Sequence, residues 1–246
     1  MKVYGLIGYP LGHSFSKQFF SEKFAKEGLD NCSFETFPIP SIDLFPALLR
    51  KNPALKGLSV TIPYKEQILK FVTEISEEVK YIGATNSIKI EGNKLTAYNT
   101  DIVGFEKSFI KLLQSHHKKA LVLGTGGAAK AVQYVLSKLS IEFLVVSRAK
   151  NLQGGYINYK MIDEQIMKEY SIIINCSPVG MSPNENTSPD IPYQSINAQH
   201  YLYDLVYKPS KTLFLQKGEE NGALIQNGYE MLLIQAEASW KIWNNE

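Results

Sequence analysis

Apolar and polar positions alternate strictly in LSVTI, residues 58–62, where Leu58, Val60 and Ile62 are separated by Ser59 and Thr61. That period of two predicts a strand, and Pro63 ends it because proline lacks an N–H. Residues 2–8 and CSFETFPI, from Cys32, predict two more strands. In SKQFFSEKFAKEGL the spacing is helical instead. Phe19, Phe20 and Phe24 share a face, with Ser16 as N-cap and Gly28 as the stop. Ser41 opens a helix through SIDLFPALLRKN, and helical pieces are expected over 64–71 and 75–82. NSIKIEGNKLTAYN predicts a hairpin turning at Gly92-Asn93.

DIVGFEKSFIKLLQS, from Asp101, has helical period, and HHKK at 116–119 breaks it as a boundary into a second unit. Beyond it come the strand ALVL, a glycine turn with a helix, and the strands EFLVVSR, SIIIN and HYLYDLVY. A helix from about Thr212, a short strand near ALIQ and a strongly apolar last helix, GYEMLLIQAEASWKIW, complete the chain. The last helix is expected to cross back onto the first domain. Strands alternating with helices predict an α/β fold.

Composition narrows the class. A chain of 246 residues is long for one domain and comfortable for two. At 44% hydrophobic and 20% charged it buries a core without metals or disulfides. A net charge of +2, with no clustered Lys/Arg stripe, argues against nucleic acid. No apolar run reaches membrane-spanning length, and MKVYGLIGYP is too short for a signal peptide. Cys32 and Cys176 have no metal-ligand spacing, so no metal is expected and a reduced, cytoplasmic setting is.

The candidate chemistry begins at Gly124, Gly126 and Ala129, a G-x-G-x-x-A pattern with Gly127 as an extra glycine, between an apolar strand and an Ala-rich helix. Gly124 permits the tight turn, Gly126 lets the backbone approach a pyrophosphate, and Ala129 allows close helix–strand packing. The helix N-terminus offers N–H groups to phosphates. The next strand ends in Ser147 and Arg148, where an NAD site would carry an acid. An arginine there suits the 2′-phosphate of NADP(H). Lys65, just past the proline stop, reads on position alone as a solvated charge at a helix start.

The chain resembles shikimate dehydrogenases over essentially its whole length. GYPLGHSFS, SVTIPYK, GATNSI, YNTD, GTGGAAKA, NCSPVGM, YDLVYKP and NGYEMLLIQA carry the resemblance, in order. It implies NADPH-linked, reversible reduction of 3-dehydroshikimate to shikimate, a step of chorismate and aromatic amino-acid biosynthesis. It implies a substrate-binding domain over 1–101, joined by the C-terminal helix 228–246, and a Rossmann-type NADP domain over 102–227, with the active site in a cleft between them. Carried over by position, Lys65 and Asp101 are the catalytic pair. Ser14 and Ser16 bind the substrate carboxylate, and Thr61, Asn86, Asp101 and Gln235 the ring hydroxyls. Tyr207 stands beside substrate and nicotinamide. Gly124, Thr125, Gly126, Gly127, Ala128, Ser147 and Arg148 hold the cofactor, and the backbone of Leu205 and Gly228 lines the nicotinamide. His13 has a structural role. Gln235 sits among Met231, Leu232, Leu233 and Ile234, where a polar group needs a partner.

The resemblance implies a small-molecule substrate, and the sequence leaves monomer and homodimer both open. Lys17 stands where the family commonly has proline, Tyr229 replaces a common leucine, and Ser147 and Ala149 flank the arginine in place of Asn and Thr. AKNLQGGYINYK is too short and Gly-rich for the helix that normally follows, leaving Lys150 as the second cation. The alternatives are a quinate/shikimate dehydrogenase that also uses NAD, and a cofactor-sensing relative without turnover.

Overall fold

The computed structural model describes residues 1–12, 15–149 and 154–246. The chain parts into two compact units, Met1–Thr100 with Gln235–Glu246, and Asp101–Ile234. The change of unit at Thr100 falls ahead of the HHKK break.

The first unit holds β1 (Lys2–Gly8), α1 (Phe15–Glu27), β2 (Cys32–Pro38), α2 (Phe45–Lys51), β3 (Leu55–Val60), β4 (Glu74–Ile75), α3 (Glu77–Ile82), β5 (Ser87–Glu91) and β6 (Lys94–Tyr98). Its mixed sheet runs β2-β1-β3-β5-β6-β4. β1 is parallel to β2 and β3, whereas β5 is antiparallel to both β3 and β6. Alternation along β1 feeds two cores. Ile7 packs with Phe45, Leu58, Val60 and Ile88. Tyr4 and Leu6 pack with Phe20, Phe24, Phe34, Trp240 and Trp243. The last three positions of that aromatic cluster include two tryptophans from α8 (Tyr229–Asn244), whose later residues belong to this unit.

Three local expectations shift. β3 ends at Val60 rather than Ile62, because the chain turns there, with Tyr64 N–H donating to the Thr61 carbonyl at 2.9 Å. The helical piece over 64–71 is a short 3-10 helix, Gln67–Phe71. Ser16 is not an N-cap, since α1 begins at Phe15 and places it in the first turn.

The second unit holds α4 (Asp101–Phe109), β7 (Lys119–Leu123), α5 (Gly127–Lys138), β8 (Glu142–Ser147), β9 (Tyr156–Asn158), α6 (Glu164–Glu169), β10 (Ile172–Asn175), β11 (Tyr201–Asp204), α7 (Leu213–Glu220) and β12 (Leu224–Asn227). It also takes the start of α8. α4 stops at Phe109, short of the helical period that reaches Ser115. The sheet runs β12-β11-β10-β7-β8-β9 with every neighbour parallel. The chain winds outward from β7 through β8 to β9, then returns to β10 on the other side. This reversal makes the carboxyl ends of β7 and β10 a topological switch point, where such sheets bind ligands. Leu121, Val146, Ile173, Leu202 and Phe214 form its core. Among the described residues, no helix joins β8 to β9.

Candidate active site

In the first unit, the strand directions bring the ends of β1, β3 and β6 and the start of β5 to one edge of the sheet. Thr61 leaves β3 there, its N–H bonded to the Ile7 carbonyl at 3.0 Å. Val60 N–H donates to the Asn86 carbonyl at 2.8 Å, and Thr85 N–H to the Lys65 carbonyl at 2.8 Å. These two bonds hold the backbone of Lys65 and Asn86 on the same edge. Tyr64 anchors the turn from inside, 3% exposed, its hydroxyl donating to the Ile39 carbonyl at 2.5 Å. Lys65, next in the chain, is half-buried.

Asn86 is buried and its side chain is the hub of a polar network. Its Nδ2 donates to Gln235 Oε1 at 2.7 Å and to Thr100 Oγ1 at 3.0 Å. Its Oδ1 accepts from the Thr100 N–H at 2.7 Å. Thr100 Oγ1 also bonds Ser239 Oγ at 3.0 Å. Gln235 thus has the partner its apolar neighbours demanded. Thr100 immediately precedes Asp101, so the network fixes the chain where the carboxylate begins. Asp101 itself is the buried first residue of α4, where the helix dipole favours a negative charge. Thr100 lies within YNTD but carried no signal of its own, and Ser239 is an ordinary helix serine by sequence. Ser16 is half-buried in α1. Ser14, His13 and Lys150 lie outside the described residues.

In the second unit, the residues expected to hold the cofactor follow the strands at the carboxyl edge of the sheet. Leu123 pairs with Val146, so the glycine turn and Ser147-Arg148 leave neighbouring strands together. Gly124 has φ +121°, a conformation that favours glycine, and a Cβ there would press on the Cys176 backbone at 3.3 Å. Gly126 caps α5 without a side-chain bond, and a Cβ on it would meet nothing within 4 Å. Packing therefore leaves the space beside Gly126 open. A pyrophosphate approaching the first N–H groups of α5 fits there. Thr125 is exposed, and Gly127 and Ala128 are half-buried in that first turn.

Across the switch point, Asp204 pairs with Asn227, so Leu205 and Gly228 emerge side by side. Gly228 is required by this approach, since a Cβ on it would run into the Leu205 carbonyl oxygen. The segment is locked by Asp204, which sequence reading missed although YDLVYKP contains it. Its fully buried carboxylate accepts from Val206 N–H at 3.0 Å, Asn175 Nδ2 at 3.0 Å and Thr212 Oγ1 at 2.6 Å. Burial nevertheless outweighs these bonds and raises its pKa to about 6. Burial also pushes the Tyr207 hydroxyl up. Among the described residues, no group of three His, Cys, Asp or Glu is placed to hold a metal. No helix of the described residues is long and apolar enough to cross a membrane.

A family model described as the shikimate dehydrogenase substrate binding domain matches residues 6–88. The shikimate dehydrogenase (NADP(+)) of Caldicellulosiruptor saccharolyticus is 36% identical, over 99% of this chain and 92% of that protein. The chain belongs to the shikimate dehydrogenase family. Its fold agrees with the shikimate dehydrogenase of Aquifex aeolicus, with a TM-score of 0.88 and 33% identity over 100% of this chain and 93% of that one. The Thermus thermophilus shikimate 5-dehydrogenase in complex with NADP(H) and shikimate gives a TM-score of 0.87 at 27% identity, covering 100% of this chain and 94% of that one. The two-unit α/β architecture expected of shikimate dehydrogenases is the architecture of this chain.

Proposed function

We propose that the protein catalyses the reversible, NADPH-dependent reduction of 3-dehydroshikimate to shikimate. The observation that carries the reading is the gathering of Thr61, Lys65 and Asn86, with Gln235 bonded to Asn86, on one edge of the first unit's sheet. A polyhydroxylated acid needs several fixed donors and acceptors, and Thr61, Asn86 and Gln235 offer them on the edge whose backbone carries Lys65.

The first unit is the substrate-binding unit, and Asp101–Ile234 is the NADP-binding one. When bound, NADPH supplies the hydride. Lys65 delivers a proton to the carbonyl oxygen as negative charge develops there, and takes it back in the reverse direction. Asp101 is the carboxylate of this catalytic pair and a ligand of the substrate hydroxyls. Thr61, Asn86 and Gln235 orient the ring hydroxyls, and the hydroxyls of Ser14 and Ser16 bind the carboxylate. Gly124 to Ala128 hold the pyrophosphate, and Ser147 and Arg148 the 2′-phosphate. The backbone of Leu205 and Gly228 would line the nicotinamide, and Tyr207 would stand beside both it and the substrate. We place the enzyme in the cytoplasm, as a monomer or homodimer acting without nucleic acid or membrane. The free thiols Cys32 and Cys176 accord with a reducing compartment.

Absorbance at the NADPH band, with shikimate, quinate or no substrate and with NADP+ or NAD+, tests the reading. The fastest turnover is expected with shikimate and NADP+. Quinate turnover of equal efficiency would assign the broader activity, and no turnover with either acid would assign a cofactor-sensing role.

A further inference from the structure

In the second unit, β8 and β9 are parallel neighbours with Ser147 opposite Asn158. Among the described residues no helix joins them to support the end of β8, where Arg148 stands exposed. The structure supplies another support. Asn158 Nδ2 donates to the Ser147 carbonyl at 3.3 Å and to the Ala149 carbonyl at 3.3 Å. The two acceptors are the residues on either side of Arg148. Ala149 N–H also returns to Ser147 Oγ at 3.2 Å, closing a tight local turn around the arginine.

Asn158 is itself held in place. Its Oδ1 accepts from Lys160 N–H at 3.1 Å, capping the short 3-10 helix Tyr159–Met161. Ile157 before it and Ile162 after it are buried in the unit's core, with Tyr159 packed against them. Tyr159 also feels the Arg148 charge, which opposes the rise that burial causes in its pKa. Asparagine is suited to the task because one amide offers two hydrogens and one acceptor. Alanine has none, and aspartate would lose the donors and add a negative charge near a phosphate.

We propose that Asn158 is a specificity-determining positioning residue. By bracketing Arg148 it presents the guanidinium to the 2′-phosphate of NADP(H), and so sets the preference for NADP over NAD. The proposal rests on the reading of Arg148 as the 2′-phosphate ligand. A fixed backbone lowers the conformational cost of placing the guanidinium, and that gain appears only with ligands carrying the extra phosphate.

The test is isothermal titration of the full-length protein with adenosine 2′,5′-bisphosphate and with 5′-AMP, which needs no turnover. Wild type, Asn158→Ala, Asn158→Ser, Arg148→Ala and the double variant Asn158→Ala/Arg148→Ala are compared, each with its thermal midpoint. Arg148→Ala should cut the affinity ratio of the two ligands roughly 10- to 100-fold. Asn158→Ala should cut it roughly three- to tenfold, Asn158→Ser by less, and 5′-AMP affinity should hardly move. In the Arg148→Ala background, Asn158→Ala should change the ratio no further, because it acts through the arginine. A wild-type ratio in both Asn158 variants, alongside a lost ratio in Arg148→Ala, would overturn the proposal and leave the Arg148 reading standing. An equal loss for both ligands, or an undiminished effect in the double variant, would also overturn it. An unchanged ratio in Arg148→Ala would remove the Arg148 reading and this proposal with it.

Discussion

Asn86 donates its side-chain amide to Gln235 Oε1 at 2.7 Å, joining two residues 149 positions apart in the sequence. The bond explains how a glutamine inside an apolar helix serves a polar site. It also ties the last helix to the sheet edge that carries Thr61 and Lys65. Asn86→Ala leaves the Thr100 N–H and Gln235 without this partner in a buried setting. A stability loss of about 1–3 kcal/mol is expected from those stranded groups. The KM for shikimate should rise while cofactor affinity holds. Chemical denaturation with steady-state kinetics checks both.

Gly228 faces the Leu205 carbonyl oxygen too closely for any side chain. Gly228→Ala should therefore push the Leu205 segment aside and destabilise the protein by about 1–3 kcal/mol, as overpacking does. NADPH affinity should fall with it. A thermal melt and a fluorescence titration of NADPH measure the pair of effects.

Asp204 gives a pH-dependent prediction whose sign follows from burial. Its pKa rises from 3.8 to about 6, so between those values the folded protein binds a proton more readily than the unfolded chain. The stabilisation from this group is fully present below pH 3.8 and is lost as pH rises through about 6. The loss at neutral pH is about 3 kcal/mol, at 1.36 kcal/mol per unit. Asp204→Asn keeps an Oδ1 acceptor for Val206 and Asn175 and removes the buried charge. It should be more stable than wild type at pH 8 and no more stable at pH 3.5, as denaturant unfolding at the two pH values would reveal.

Arg148→Ala should weaken NADPH by roughly 10- to 100-fold and NADH far less, since a charge-assisted contact to phosphate is worth roughly 1.5–3 kcal/mol. Equal losses for the two dinucleotides, measured by titration, would contradict a 2′-phosphate contact.

Period-two alternation placed the strand around Leu58 and the Gly92-Asn93 hairpin, a continuous apolar run the strand around Val122, and apolar character the last helix, because each is written in local burial. The glycine turn was legible because Gly124 obeys a backbone requirement, with φ +121°, and sits in a G-x-G-x-x-A pattern between an apolar strand and a helix. Less local features were hidden. Nothing near Asn86 announces that it holds Thr100 and Gln235, since those bonds depend on strand order. Asp204 looked like one polar residue in YDLVYKP, and only the fold shows its carboxylate facing three donors. Asn158 drew no attention because its meaning lies in the pairing of β9 with β8. The early end of β3 arose from a turn hydrogen bond that alternation cannot register.

The central claim is that Lys65 moves the proton of shikimate oxidation and reduction, and the turnover of Lys65→Ala tests it most directly. With shikimate and NADP+, kcat should fall by roughly 10²- to 10⁴-fold, the usual worth of a positioned acid–base group. The Kd for NADPH should stay close to wild type. Near-wild-type turnover in a folded Lys65→Ala protein would contradict the assignment.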